Sequence, residues 1–491
     1  MSIVLIVMHN FLITIFFSLF TTHLALAATY VPSNERPPAF PREFRGAWVA
    51  CVYNIDWPSK PGLPAATQQA ELVRLINRAA EYKLNAIIFQ VRPNADAVYH
   101  SKYEPYSHWI SGSMGKSSGY DPLSFCIQEA HKRGIEVHAW FNPFRALPNV
   151  NMPTSRNHVT RTHGREIKNF RTYKWLNPAS NFARKRALNV MLDVAKRYDI
   201  DGIHIDDYFY PYPQVHKDGR PKQIFPDGKT PAARRKYVDS FIKDMYTSIK
   251  KVKPYLRVGI SPFGIWRPGV PQGTTATISA YDHLSADSRK WLVNGWCDYL
   301  SPQLYWRINS EQSFTRLLTW WRSQSEATKY KRPVWPGLAT DRVNSTTDPG
   351  RPASEMLNQV NFSRSIGKNW AGHVHWSMKS LMQNRGGVTT KLKGGAYVAP
   401  ALAPPMSWIP SKAPSPPTAS FSSKSGNTVT TWPPVAGASK YTVQIRKGSR
   451  WHSIIVTYGN GATIQGTPDA IAISAVNRVG LNSAPAVYTL K

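Results

Sequence analysis

Asp201-Gly202-Ile203-His204-Ile205-Asp206-Asp207-Tyr208-Phe209-Tyr210-Pro211 is the stretch that decides how this chain is read. From Gly202 to Tyr208 the side chains alternate as in a β-strand. Ile203 and Ile205 fall on one face, and His204, Asp206 and Tyr208 on the other. In a (β/α)₈ barrel the first face meets the helices, the second meets the barrel axis, and the reacting groups stand at the C-terminal ends of the strands. A carboxylate aimed inward at a strand's exit is costly unless it is paired or used. Asp206 is therefore the first candidate catalytic residue. Asp207, next in line, would point away in a regular strand and reaches the site only where the strand has already ended. The Tyr- and Pro-rich run at 208–213 places the start of the loop there.

Outward from this stretch the same pattern repeats. Short apolar strands are expected at 44–50, 86–92, 136–142, 202–208, 257–262, 299–305, 333–338 and 372–377, with amphipathic helices at 67–82, 122–133, 183–198, 232–252 and 312–325. Eight strands alternating with helices predict an α/β fold, a closed TIM barrel over residues 44–397. An open doubly wound sheet is the alternative, and the first strand lacks the Gly-rich phosphate loop that would support it. Residues 28–43 and the Pro-rich 398–418 read as linkers. Strands at 428–432, 440–446, 454–457 and 470–477 predict a small C-terminal β-sandwich over 419–491.

The first 27 residues read as a signal peptide: residues 3–26 are almost wholly apolar, and Ala25-Leu26-Ala27 has the small-x-small form of a cleavage site. No Cys stands at that point, so no lipid attachment and no stable membrane anchor is expected, and the chain reads as exported and periplasmic. The cysteines, Cys51, Cys126 and Cys297, match no zinc spacing and read as small buried hydrophobes. Lys and Arg number 61 against 29 Asp and Glu, a net charge of +32, which favours a polyanionic partner. Export turns that expectation from nucleic acid, for which no module is present, to anionic glycans or surfaces. The 17 Trp residues supply platforms for sugar faces as well as core.

The other strand ends add candidates for substrate contact: Trp48; Gln90 and Arg92; Trp140 and Asn142; Ser261; Gln303 and Tyr305; and Trp376. His204 and Tyr208 join them from the fourth strand, although His204 and His138 lie deepest and are also the first candidates for plugs of the barrel. Glycoside hydrolysis ordinarily needs two carboxylates. Asp207 is the nearest partner for Asp206, with Asp56, Asp96 and Asp341 as alternatives, and no Glu stands at a strand end. His204, Asp206 and His138 form no compact ligand motif, so no metal and no cofactor is expected.

Six blocks carry a resemblance: Phe44-Arg45-Gly46-Ala47-Trp48-Val49, Gln90-Val91-Arg92-Pro93, Ala139-Trp140-Phe141-Asn142-Pro143, residues 201–211, Gly259-Ile260-Ser261-Pro262-Phe263-Gly264 and Ser301-Pro302-Gln303-Leu304-Tyr305. Together, over about residues 40–395, they resemble the glycosyl-hydrolase-like 10 family. The resemblance implies cleavage of peptidoglycan glycan strands stripped of their stem peptides, with the site around Asp206, Asp207 and Tyr208. Such naked strands expose lactyl carboxylates, and a cleft lined by Arg92 and its neighbours on a basic protein would attract them. A weaker similarity is to chitinase-like family 18 hydrolases, which place an acid Glu where this chain has Tyr208. At the C-terminus, Trp432, Tyr441 and residues 474–480 resemble fibronectin type III domains. The leading expectation is paired-carboxylate hydrolysis, with Asp206 as nucleophile or base and Asp207 as acid, the roles exchangeable. The alternatives are a non-catalytic glycan-binding protein and a hydrolase of another exported polysaccharide.

Overall fold

The computed structural model describes residues 29–367 and 370–491. The expected signal peptide lies outside the described residues. The barrel strands are Phe44–Val49, Ala86–Arg92, Glu136–Phe141, Gly202–Ile205, Arg257–Ile260, Tyr299–Leu300, Gly337–Leu338 and Gly372–His375. Except between the sixth and seventh, each pairs in parallel with its chain neighbour, and the eighth pairs with the first. Between the sixth and seventh strands the ring is closed by single bonds: Leu300 N–H donates to Pro333 O (3.0 Å) and Trp335 N–H to Leu300 O (2.9 Å). Parallel bridges join Leu300 to Val334 and Gln303 to Gly337. The expected strands are all present, but the regular ladder stops earlier than alternation predicts at the fourth to sixth, where loops carrying polar residues take over.

The helices form where an apolar stripe meets a cap. Ala65–Glu81 buries Leu72, Leu75, Ile76 and Ala79 at helical spacing against the barrel. Asp121, Ser180, Thr230 and Ser313 accept from the first free backbone N–H groups of Pro122–His131, Asn181–Arg197, Pro231–Val252 and Phe314–Glu326. A further helix, Ala353–Gly367, was not expected from the pattern, whose apolar stripe is interrupted by polar residues.

Large rings fill the barrel axis where the facing strand is a glycine. A Cβ on Gly259 would lie 2.0 Å from the Tyr299 ring, and one on Gly372 would lie 2.5 Å from Trp335. Phe44 stacks on Trp335 at 4.1 Å. His138 and His204 both sit on the axis and both reach the Tyr299 hydroxyl, at 2.9 and 3.0 Å. After the third strand the chain makes an excursion into a small antiparallel sheet of Arg145–Leu147, Tyr173–Leu176 and Ile167–Phe170, which hangs over the C-terminal end of the barrel.

The C-terminal strands form a sandwich. Ser420–Lys424, Asn427–Thr431 and Gly461–Ile464 make one sheet. The other contains Ala486–Leu490, Ala470–Asn477, Ala438–Lys447 and Arg450–Thr457. Trp432, Tyr441, Val443, Ile471 and Ile473 lie between them. The edge of the larger sheet is Tyr30–Ser33, paired antiparallel with Ala486–Leu490. This differs from the linker expected at 28–43. Pro32 sits on an edge strand, where its missing N–H costs nothing, and Tyr30 packs on Phe421 at 4.8 Å.

The sandwich is docked on the N-terminal end of the barrel. Lys440 pairs with Glu136 at 2.6 Å, and the Tyr458 ring stacks on His131 at 4.1 Å while its hydroxyl donates to Asp201. Much of the stretch expected as a Pro-rich linker is bonded along the same end. Arg45, Asn85 and Arg257 side chains donate to the carbonyls of Ala399, Ala401 and Pro404.

Candidate active site

The fourth strand ends at Ile205, so the chain turns between Asp206 and Asp207 and both carboxyls enter one cavity of about 220 Å³. Its walls are Trp48, Trp140, Tyr208, Ser261, Gln303, Tyr305 and Trp376, all named from the sequence, together with Tyr212. Trp376 meets both Trp48 and Trp140 edge-on, with centroids 6.1 Å apart in each pair. The result is an aromatic wall facing two acids.

Asp206 is 4% exposed and Asp207 3%. Asp206 Oδ2 accepts from the Trp140 indole N–H (3.0 Å) and from Asn142 Nδ2 (3.3 Å), and Oδ1 accepts from the Tyr208 backbone N–H (3.4 Å). Burial, then the neighbouring charge of Asp207, pushes the Asp206 carboxyl up to about 7, against the lowering pull of Arg145 and Trp140. Burial also raises Asp207, to about 6, opposed first by the hydroxyl that Tyr212 donates to it. Both carboxyls are thus raised toward neutrality, where a carboxyl can exchange a proton near pH 7.

Arg145 was not identified from the sequence, because it lies in the excursion beyond the third strand rather than at a strand end. Its guanidinium covers the Tyr208 ring at 4.7 Å and is held by Asn94 Oδ1 at 2.9 Å. Tyr212 lies in the loop after the fourth strand, and its only sequence signal was the run of tyrosines and prolines.

The structure keeps four expected contact residues out of the cavity wall. Arg92 is fully buried, paired with Glu104 at 2.6 Å and donating to the Pro143 carbonyl at 3.0 Å; it does not line the cleft. A buried guanidinium has to satisfy its donors, and the second-strand loop supplies Glu104 for that. Gln90 accepts from the backbone N–H groups of Cys51 and Val52, at 3.1 and 3.0 Å, and so braces the first-strand loop. His204 lies beneath the cavity. The indole of Trp48, a pure donor, reaches its Nε2 (3.2 Å), so its Nδ1–H donates to Tyr299; burial pushes its pKa well below the ordinary value and keeps it neutral. Asn142 stands behind Asp206, holding it, and its own Oδ1 accepts from Arg145 N (2.9 Å). Of the other acids considered, Asp56 ties the first-strand loop to Ser377 and Lys379, at 2.6 and 2.7 Å, and Asp96 accepts from Asn94 N at 2.9 Å. Neither these nor Asp341 lines the cavity.

Residues 43–351 match the family model described as Glycosyl hydrolase-like 10. Glycosyl hydrolase YngK of Bacillus subtilis (strain 168) is 37% identical over 398 residues, 77% of this chain and 76% of that protein. Glycosyl hydrolase DigH of Escherichia coli (strain K12) is 32% identical over 341 residues, 64% of this chain and 77% of its own length. Among solved structures, the PgaB (BpsB) glycoside hydrolase domain from Bordetella bronchiseptica aligns with a TM-score of 0.45 at 11% identity, covering 72% of this chain and 98% of that one. The family match runs from the residue before the first barrel strand through all six motif blocks. The chain therefore belongs to the glycosyl hydrolase-like 10 family and is a glycoside hydrolase.

Proposed function

We propose that this enzyme cleaves the glycan strands of peptidoglycan after their stem peptides have been removed, with Asp206 and Asp207 as its acid–base pair. The observation that carries the reading is the pair itself: two buried, adjacent carboxyls with raised pKa values, set against a wall of tryptophans. Their environments divide the roles. Asp206 faces the charge of Asp207 and holds its proton to higher pH, so it is the acid that protonates the leaving glycosidic oxygen. Asp207, where the Tyr212 hydroxyl opposes the rise that burial causes, either attacks the sugar's anomeric carbon or takes the proton of a water that does. The sequence alone left the two roles exchangeable, because it carries no information on solvation.

Charge supports the substrate. The naked strand is a polyanion and the protein carries +32. Arg145, beside Tyr208, is a cation whose charge acts on both acids. A tryptophan-walled cavity of this size fits bare sugar rings better than units bearing peptides. The C-terminal sandwich fits a fibronectin type III-like module, and it stands at the opposite end of the barrel from the acids.

The test is to incubate the purified protein with amidase-treated strands, intact sacculi and partly deacetylated poly-N-acetylglucosamine, and to identify products by mass spectrometry. Soluble oligosaccharides from the stripped strands alone, absent with Asp206→Asn, are expected. Products from the cationic polymer alone would replace the proposed substrate. Tight binding of stripped strands with no product from any polymer would mean a glycan-binding role instead.

A further inference from the structure

The catalytic cavity, at about 220 Å³, is smaller than the roughly 300–1,000 Å³ of a pocket that encloses a whole small ligand. A polymer bound there must continue beyond it. On one side the wall does continue. The Tyr212 ring meets Phe263 edge-on at 6.3 Å, and Phe263 meets Trp306 edge-on at 5.7 Å. Phe263 and Trp306 then form one side of a second cleft of about 460 Å³. Both residues lie in the loops that leave the C-terminal ends of the fifth and sixth strands, and Phe263 is bridged in parallel to Gln303, itself a wall of the catalytic cavity. Both rings are only partly buried, so each leaves surface for a ligand.

From this continuity we infer that the Phe263–Trp306 cleft is a second sugar-binding subsite, which holds the same glycan strand a few units from the bond that is cut. The inference rests on the glycan-hydrolase reading above. Partly exposed aromatic rings suit the apolar faces of sugar rings. Glu311 is the one charged residue of the lining, and its Oε2 accepts from the Thr275 hydroxyl at 2.8 Å. A carboxylate here disfavours a sugar that carries one, so the subsite takes the uncharged, N-acetylglucosamine-type member of the repeat.

The experiment compares kcat/KM of wild type, Trp306→Ala, Phe263→Ala and Trp306→Phe on long stripped strands and on a tetrasaccharide cut from them. The expected result is a loss of about tenfold or more for both alanine variants on long strands, with less than about twofold loss on the tetrasaccharide. Trp306→Phe, which keeps a ring, retains most of the activity. Equal losses at both lengths, or no loss on long strands, would overturn the subsite. If wild type cleaves no strand, titration of an uncharged chito-oligosaccharide into the Asp206→Asn protein separates the two ideas. Binding weakened by adding Trp306→Ala keeps the subsite while the hydrolase reading falls, and binding indifferent to Trp306 removes the subsite.

Discussion

Asp206 and Asp207 are chemically the same residue placed in two environments, and their proposed division of labour rests on solvation and neighbours. With Asp207 as base near 6 and Asp206 as acid near 7, kcat/KM is expected to rise as pH passes about 6 and to fall above about 7. A pH–rate profile on stripped strands checks this. Trp140→Phe removes the indole N–H that favours ionised Asp206, so the alkaline limb of that profile should move to higher pH while the acid limb stays. Asp206→Asn and Asp207→Asn are each expected to lower kcat by about 10²–10⁴-fold. Stability carries the opposite sign. A carboxyl whose folded pKa lies above its unfolded value stabilises the fold below the unfolded pKa, and that contribution is lost as pH rises through the folded value. Asp206→Asn should therefore melt above wild type at pH 8, and the gap should close by pH 4. Thermal unfolding at the two pH values decides it.

The strands owe their function to where they stop. The fourth strand loses its ladder after Ile205, and this lets two consecutive aspartates share one cavity although strict alternation would send them to opposite faces. The fifth and sixth strands also end early, and their loops carry Ser261, Gln303 and Tyr305 into the same space. Below them, the barrel needs glycine opposite its rings. Gly259→Ala would put a methyl 2.0 Å from the Tyr299 ring, and Tyr299 is fully buried between His138 and His204. The expected cost is about 2–3 kcal/mol, read as a lower urea midpoint with an unchanged slope. Activity should fall more than stability alone explains, because Tyr299 holds His204, and His204 holds Trp48 and Ser261 in the cavity wall.

At the scale of the whole molecule the sandwich closes the end of the barrel opposite the two aspartates. Glu136 begins the third strand and is buried. Burial alone would raise its pKa, but Lys440 from the sandwich, with Arg257, holds it well below the ordinary value. Lys440→Met leaves that carboxylate with Arg257, 3.6 Å away, and His138 Nε2, 3.4 Å away, and should destabilise the fold by about 3 kcal/mol. Adding Glu136→Gln should recover part of the loss, because it removes the buried charge that lost its partner. The stabilisation from Glu136 is present above the ordinary carboxylate range and is lost as pH falls through its depressed folded value. Chemical denaturation of the single and double variants at pH 7 tests this coupling between the two parts of the chain.

What the sequence determined by itself was whatever depends on local periodicity. Alternation and helical spacing located the strands, and with the strands came their C-terminal ends, where Trp48, Trp140, Asp206, Tyr208, Ser261, Gln303, Tyr305 and Trp376 meet in one cavity. The rest depends on partners distant in the chain. Arg92 and Gln90 stand at strand ends like the others, but Glu104 and the first-strand loop claim their polar groups. Tyr212 reaches Asp207 from a loop, and Arg145 acts on both acids from the small sheet beyond the third strand, along paths that no period encodes. Tyr30–Ser33 is a strand only because Ala486–Leu490, at the far end of the chain, offers it an open edge. The proposed order of the two acids was beyond the reach of the sequence for the same reason. A carboxyl's pKa is set by burial and by the charges and donors around it, and these exist only once the chain is folded.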